Sequence, residues 1–303
     1  MDNPIHLKSI TAFHRLLGLK APQHPLIGVV DYSSINHAAA ENKTVFLNFY
    51  AIGLKRDVGG KLHYGQQVYD FDEGLMSFVA PSQVIRFEID ISIPSNPSGY
   101  LLLLHPDFLW GTHLAKSIKK YEYFNYAIKE ALFLSEKEEE VIESIFQNIQ
   151  REYHKDIDKF TQSIILAQIE TLLNYADRFY QRQFVTRNVT SNQTLSKVED
   201  YLESYFKSEN LTNKGLPTVQ LLADDLCLSP IYLSNLLKQL TGISAQQHIH
   251  EKLIKEAKEK LSTTNLSVSR IAYELGFEHS QSFSKLFKSK SGVSPLEFRA
   301  SFN

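Results

Sequence analysis

Two short runs near the C-terminal end hold the side chains best suited to chemistry. The first carries Ile231, Tyr232, Ser234, Asn235 and Lys238, and the second His279, Ser280, Gln281, Ser282, Lys285 and Lys288. A carboxamide such as that of Asn235 or Gln281 presents a donor beside an acceptor, which complements the N6 and N7 edge of adenine. An ammonium reaches the acceptors of guanine, and an isoleucine can lie against a thymine methyl. Lys238, Lys288 and the neighbouring Lys290 fall toward the ends of their runs and suit phosphate oxygens better. Enzyme chemistry finds less support, because the sequence has neither a Gly-rich phosphate loop nor a nucleophile elbow.

The elements that must position these groups are visible as an internal repeat. Leu222-Ala223-Asp224-Asp225-Leu226-Cys227-Leu228 matches Ile271-Ala272-Tyr273-Glu274-Leu275-Gly276-Phe277 at a constant offset. One residue further out of step, Leu233-Ser234-Asn235-Leu236-Leu237-Lys238 matches Phe283-Ser284-Lys285-Leu286-Phe287-Lys288, and Gly242-Ile243-Ser244 matches Gly292-Val293-Ser294. Each copy reads as a short helix, a tight turn, and a second helix ending at a glycine, which is a helix-turn-helix unit. The small Ala223 and Ala272 let the paired helices cross closely. Gly276 permits a positive backbone angle in the second turn; Cys227 leaves the first turn to manage without a glycine. Ser229 caps the helix that Pro230 opens. Leu233, Leu236, Leu237 and Leu240 make its buried stripe, as Phe283, Leu286 and Phe287 do in the second copy. Subtracting those stripes leaves the eleven residues above as the exposed positions of two recognition helices.

Between the copies, Ala245–Ser262 carries Ile249, Leu253, Ile254, Ala257 and Leu261 at helical spacing. A helix of that length, at about 1.5 Å per residue, can hold two recognition helices about one DNA turn, roughly 34 Å, apart.

Leu221 to Phe302 closely resembles the DNA-binding domain of the AraC/XylS transcription regulators. The resemblance rests on Ser267-Val268-Ser269-Arg270-Ile271-Ala272-Tyr273-Glu274-Leu275-Gly276-Phe277, then Ser282-Phe283-Ser284-Lys285-Leu286-Phe287-Lys288, Gly292-Val293-Ser294-Pro295 and Phe298-Arg299. It implies a seven-helix domain with two helix-turn-helix units. Cys227, Leu237 and Lys252 depart from the family pattern, where glycine, phenylalanine and arginine are usual, so the first unit is the less typical. More faintly, Tyr69-Asp70-Phe71-Asp72-Glu73-Gly74 with Phe78-Val79-Ala80-Pro81 resembles a hairpin of cupin-like sensor domains.

The rest of the chain fits two parts. Residues 1 to about 110 hold strand-like runs, Thr44–Ile52, Val68–Phe71, Met76–Val79, Gln83–Ile93 and Tyr100–Leu104, punctuated by glycine and proline. From Gly111 both punctuating residues vanish until Gly215. Ser135 with Glu138 forms a capping box ahead of Val141, Ile142, Ile145, Phe146 and Ile149, and a second apolar helix runs from Ile164 to Tyr180. These two helices suit packing within the chain and dimerisation equally. The fold expected is α+β multidomain: a cupin-like β-barrel regulatory domain at 1–185, including helices from about 113; a polar linker at 186–195; and an all-α double helix-turn-helix domain at 196–303.

Composition narrows the function. Hydrophobic residues make up 43% of 303 and charged residues 22%, enough to bury a proper core. With 32 basic and 34 acidic side chains, bulk charge cannot hold the chain to nucleic acid. Residues 187–303 hold 14 basic and 12 acidic side chains, a mild excess only. A single cysteine, Cys227, excludes a disulfide framework and a zinc site of several thiolates. His63, with Gly65 two residues on, and His105 and His113 lack cupin ligand spacing, so no metal and no cofactor is expected. Met1–Lys20 lacks the apolar core of a signal peptide, and Leu101–Leu104 is too short to span a bilayer. The expectation is a cytoplasmic, non-enzymatic transcription regulator, favouring activation. Its partners would be promoter or operator double-stranded DNA and RNA polymerase, with room for a small-molecule effector and a second copy of the chain, and no membrane. The alternatives are a cupin-type enzyme or a protein-interaction module with an appended DNA-binding domain. Phe46, Phe49, Tyr50, Phe71, Phe78, Phe87 and Leu102 would make a barrel interior apolar, as plain core or as the lining of an effector site.

Overall fold

The computed structural model describes residues 4–36, 43–56, 62–64, 67–69, 74–86, 96–127, 130–156, 158–186, 188–208, 211 and 214–301. The chain divides into two compact units, Met1–Gln183 and Phe184–Asn303.

The first unit is rich in strands. β1 (Ile5–Leu7), β2 (Ile27–Asp31), β3 (Thr44–Leu47), β4 (Tyr50–Arg56), β5 (Leu62–Tyr64), β6 (Gln67–Tyr69), β7 (Leu75–Val79), β8 (Gln83–Arg86), β9 (Ser98–Leu104) and β10 (Leu132–Phe133) form three sheets. Their orders are β1-β3-β8, β10-β7-β4-β9-β2 and β5-β6. All pairings are antiparallel except β1 with β3. Among the described residues these strands close no barrel, so the architecture shown is β-rich rather than a complete cupin barrel. Asn48 and Phe49 interrupt the expected continuous strand Thr44–Ile52, leaving β3 and β4 in different sheets. Asp70–Glu73, Phe71 among them, and Phe87 lie outside the described residues.

Apolar matter covers both faces of the five-stranded sheet, which is why Leu101–Leu104 reads as a continuous run instead of alternating. One face meets α1 (Ile10–Leu16): Ile10, Phe13 and Leu17 pack with Val45, Leu47, Phe49, Leu101 and Leu103. On the other, Tyr100 of β9 stacks on Phe146 of α3 (Glu136–Tyr153; α2 is the single turn Leu114–Ser117). Ser135 caps α3 as its sequence foretells, its N–H donating to Glu138 Oε2 at 2.9 Å. Phe78 lies among Tyr123, Phe124 and Tyr180, and Phe49 meets Phe13 edge-on. Phe49, Phe78 and Leu102 are therefore buried core, while Phe46 and Tyr50 are half-buried.

α4 (Thr161–Thr186) buries Ile165, Ile169, Leu172, Leu173, Ala176 and Tyr180. Its Gln183, 1% exposed, accepts from the N–H of Phe133 at 2.9 Å and donates to the carbonyl of Ala131 at 3.2 Å, hydrogen-bonding the backbone on both sides of Leu132.

The second unit is helical. It comprises α5 (Asn188–Lys207), α6 (Val219–Asp225), α7 (Pro230–Thr241), α8 (Ala245–Thr263), α9 (Val268–Glu274), α10 (Ser280–Ser291) and α11 (Pro295–Ala300). α5 begins inside the segment expected as a polar linker at 186–195, which is thus largely helical. Serine, threonine and asparagine favour loops only weakly, and no glycine or proline stands there to stop a helix. All but the last of these helices contribute buried residues to one core. Val198, Leu202 and Tyr205 of α5 join Leu222 and Ala223, Leu233 and Leu237, Leu253 and Ala257, Ile271 and Ala272, and Phe283 and Phe287. Lys252 of α8 pairs with Glu203 of α5 and, at 2.7 Å, with Glu256. Burial opposes the charge on Lys252, but the two carboxylates outweigh it and hold its pKa above the ordinary lysine value.

Candidate nucleic-acid interface

Local chemistry builds the two helix-turn-helix units alike. Thr218 caps α6 by accepting from Leu221 N–H, and Ser267 caps α9 by accepting from Arg270 N–H, both at 3.1 Å. In each turn two backbone bonds close the corner. Cys227 N–H donates to Asp224 O and Leu228 N–H to Ala223 O, at 3.0 and 2.8 Å; Gly276 N–H donates to Tyr273 O and Phe277 N–H to Ala272 O, both at 3.0 Å. Cys227 adopts φ +55° and Gly276 φ +83°, so the first turn keeps the left-handed corner without a glycine. Ser229 accepts from Tyr232 N–H to start α7, with Pro230 in the first helical position. α7 and α10 each end at a glycine, Gly242 and Gly292, both with φ of +81°.

The exposed face of α10 agrees with the sequence. His279, Gln281, Ser282, Lys285 and Lys288 are exposed and Ser280 is half-buried, while Phe283 and Phe287 point to the core. Leu286 is only partly buried. Gln281 and Lys285 stand four residues apart and therefore on one face, one turn above the other. His279 precedes the helix without a side-chain cap bond.

The face of α7 is less exposed than expected, at Tyr232 above all. Ile231 is 37% exposed and Lys238 is exposed, with Ser234 and Asn235 half-buried, but Tyr232 is only 3% exposed. Its ring meets that of Phe184 edge-on, centroids 5.2 Å apart, and Phe184 is itself 4% exposed. Tyr232 is thus a core residue and not part of the reading face. Its place at the edge of the apolar stripe put it within reach of an aromatic partner from a distant stretch of chain, which helical subtraction alone does not reveal.

Charge around the units is organised by ion pairs. Glu274 of α9 pairs with Lys260 of α8 at 2.9 Å and with Arg270 at 3.1 Å, and these contacts lower its pKa. His250 titrates below the ordinary histidine range, first through burial and then through the nearby Lys290.

In the first unit, His105 Nδ1 accepts from Asp107 N–H at 3.3 Å and His113 faces Glu170 at 3.5 Å, so both histidines have local partners; the side chain of His63 lies outside the described residues. No three potential metal ligands cluster among the described residues, and no described helix is long and apolar enough to cross a membrane. A cleft of about 670 Å³, missed by the sequence reading, opens among Gln23, His24, Phe108, Tyr153, His154 and Gln162. Burial lowers the pKa of His24 there.

Two turn–helix units on one core define a double helix-turn-helix domain. A helix-turn-helix family model matches residues 222–301. The arabinose operon regulatory protein of Escherichia coli (strain K12) is 40% identical over 79 residues, 26% of this chain and 27% of that protein. The HTH-type transcriptional activator AarP of Providencia stuartii is 35% identical over 96 residues, 30% of this chain and 67% of AarP. Among solved structures, the C-terminal domain of AraT, a response regulator from Geobacillus stearothermophilus, is 30% identical, covering 36% of this chain and 84% of that one at a TM-score of 0.32. The chain belongs to the AraC/XylS family of helix-turn-helix transcription regulators. It spans about a quarter of the length of the arabinose operon regulators it matches.

Proposed function

We propose that this chain is a sequence-specific DNA-binding transcription regulator in which α7 and α10 address successive major grooves of a promoter or operator. The observation that carries this reading is the pair of matched units, each presenting an exposed helix face outside a shared core. Ile231, Ser234, Asn235 and Lys238 form the candidate face of the first, and His279, Ser280, Gln281, Ser282, Lys285 and Lys288 that of the second. Lys238 and Lys288, near the helix ends, address phosphates.

The N-terminal unit acts as a cupin-like regulatory part that takes up a small molecule or another signal, and its cleft near His24 and His154 offers a place for one. Signal uptake shifts the balance between states of different DNA affinity or different contact with RNA polymerase. The named activity of AarP supports activation as the outcome. The regulator works in the cytoplasm, and the helices of the first unit are candidates to pair two copies of the chain.

A genomic-fragment binding selection with the full chain at near-physiological salt tests the reading. Enrichment of a two-part motif, its halves about one helical turn apart, is the expected result. Sequence-independent retention with a steep salt slope would overturn it.

A further inference from the structure

Resting on that reading, we propose that the two units divide their work: α10 carries the base readout, through Gln281 on an adenine and Lys285 on a guanine, while α7 docks mainly on the backbone. The two helix faces are alike in sequence pattern and unlike in what their polar side chains are free to do.

A side chain can read a base edge only if its donors and acceptors are uncommitted and if it sits toward the start of the recognition helix, where the groove floor is reached. On α10 these conditions coincide. Gln281 and Ser282 lie in the first turn and Lys285 in the second, all three exposed. Among the described residues none of the three side chains is engaged in a hydrogen bond or ion pair. Side chains four apart on a helix have Cβ atoms about 5–6 Å from each other. Successive base pairs rise about 3.4 Å, so Gln281 and Lys285 span bases one or two steps apart. The carboxamide complements adenine and the ammonium complements guanine.

On α7 the same two turns offer little. Tyr232 is packed against Phe184. Asn235 is half-buried and already holds an interaction within the protein. Ser234 is half-buried and short. What remains exposed early in the helix is Ile231, which has only a methyl-bearing surface to offer and so favours a thymine methyl. The one cation, Lys238, falls in the third turn, at the distance of the phosphates. The binding site should therefore be lopsided, with one half constrained at an adenine and a guanine close together and the other tolerant apart from a bias toward thymine.

The test is a selection from randomised duplexes with the full chain as wild type, Gln281→Ala, Lys285→Ala and Asn235→Ala, with melting of each protein as a control for folding. The wild type should enrich a two-part motif with one information-rich half. Lys285→Ala should erase a guanine preference, and Gln281→Ala an adenine preference, in that half only, each with a roughly 10- to 100-fold loss on the wild-type site. Asn235→Ala, on the face that docks on the backbone, should change affinity alike on all duplexes and shift no base preference. Two halves of equal information, or a base preference lost with Asn235→Ala, would overturn the division of work while leaving the DNA-reading function intact. A wild-type protein that enriches no motif would overturn both.

Discussion

Cys227 and Gly276 occupy the same corner of successive helix-turn-helix units, and both are left-handed, at φ +55° and +83°. The backbone bonds around them agree within 0.2 Å, so the first unit makes the corner with a residue that carries a Cβ. A non-glycine residue there costs about 1–2 kcal/mol. Part of that is offset because glycine loses more freedom on folding.

Cys227→Gly should therefore stabilise the protein by about 1 kcal/mol, read as a higher urea midpoint with unchanged slope. Gly276→Val should act in the opposite direction and more strongly. A Cβ at Gly276 would lie 3.0 Å from backbone atoms of Leu211, Gly215 and Leu216, which cannot rotate away as a side chain would. An unchanged midpoint for Gly276→Val would contradict this close approach.

Tyr232 should behave as core. Tyr232→Ala should cost about 3 kcal/mol of stability, the usual loss for deleting a buried ring. Tyr232→Phe keeps the ring against Phe184 and should leave base preference unchanged in a binding selection. A changed preference with normal melting would return Tyr232 to the reading face.

Acid should loosen the second unit through Glu203. Its pKa is lowered from 4.5 to about 2 by hydrogen bonds from Lys207 and Lys252. A carboxylate with a depressed folded-state pKa adds stability that is complete above 4.5 and is lost as pH falls toward 2. Glu274, lowered by Lys260 and Arg270, acts in the same sense. Thermal melting of the wild type should fall as pH drops from about 4.5 toward 2, and Glu203→Gln should flatten that dependence. Identical pH profiles for the two proteins would remove Glu203 from the account.

In the first unit, Gln183→Leu should destabilise by about 1–3 kcal/mol. It strands the buried N–H of Phe133 and carbonyl of Ala131, both of which the amide satisfies. Hydrogen exchange at Phe133 is the direct readout, and protection equal to wild type would argue against the clamp.

What could be read from the sequence was what is local. Caps, glycine ends and the paired alanines act within a few residues, so Ser135, Ser229, Gly242 and Gly292 announce their roles in order along the chain. The repeat adds a second, independent copy of the same message. Long-range partners carry no such mark. Phe184 and Tyr232 lie far apart in sequence, and nothing near Tyr232 indicates that a ring will cover it. β2 was missed for the same reason: Ile27–Asp31 is a short run containing Gly28, and its pairing with β9 is what makes it a strand. The segment at 186–195 looked like a linker from its polar composition, but polar residues permit a helix wherever neighbouring turns already favour one.

The shared core of the second unit bears on how its genetics should be interpreted. Leu233 and Leu237 of α7 and Phe283 and Phe287 of α10 belong to the same buried cluster, and α8 packs against both helices. Neither unit owns an interior of its own. An inactivating allele in either interior will disable both together, and a map of such alleles will spread evenly over the domain however unequally the two helices read DNA. Only alleles on the solvent faces can tell the helices apart, and suppressors of interior alleles should arise in the opposite unit as often as in the same one.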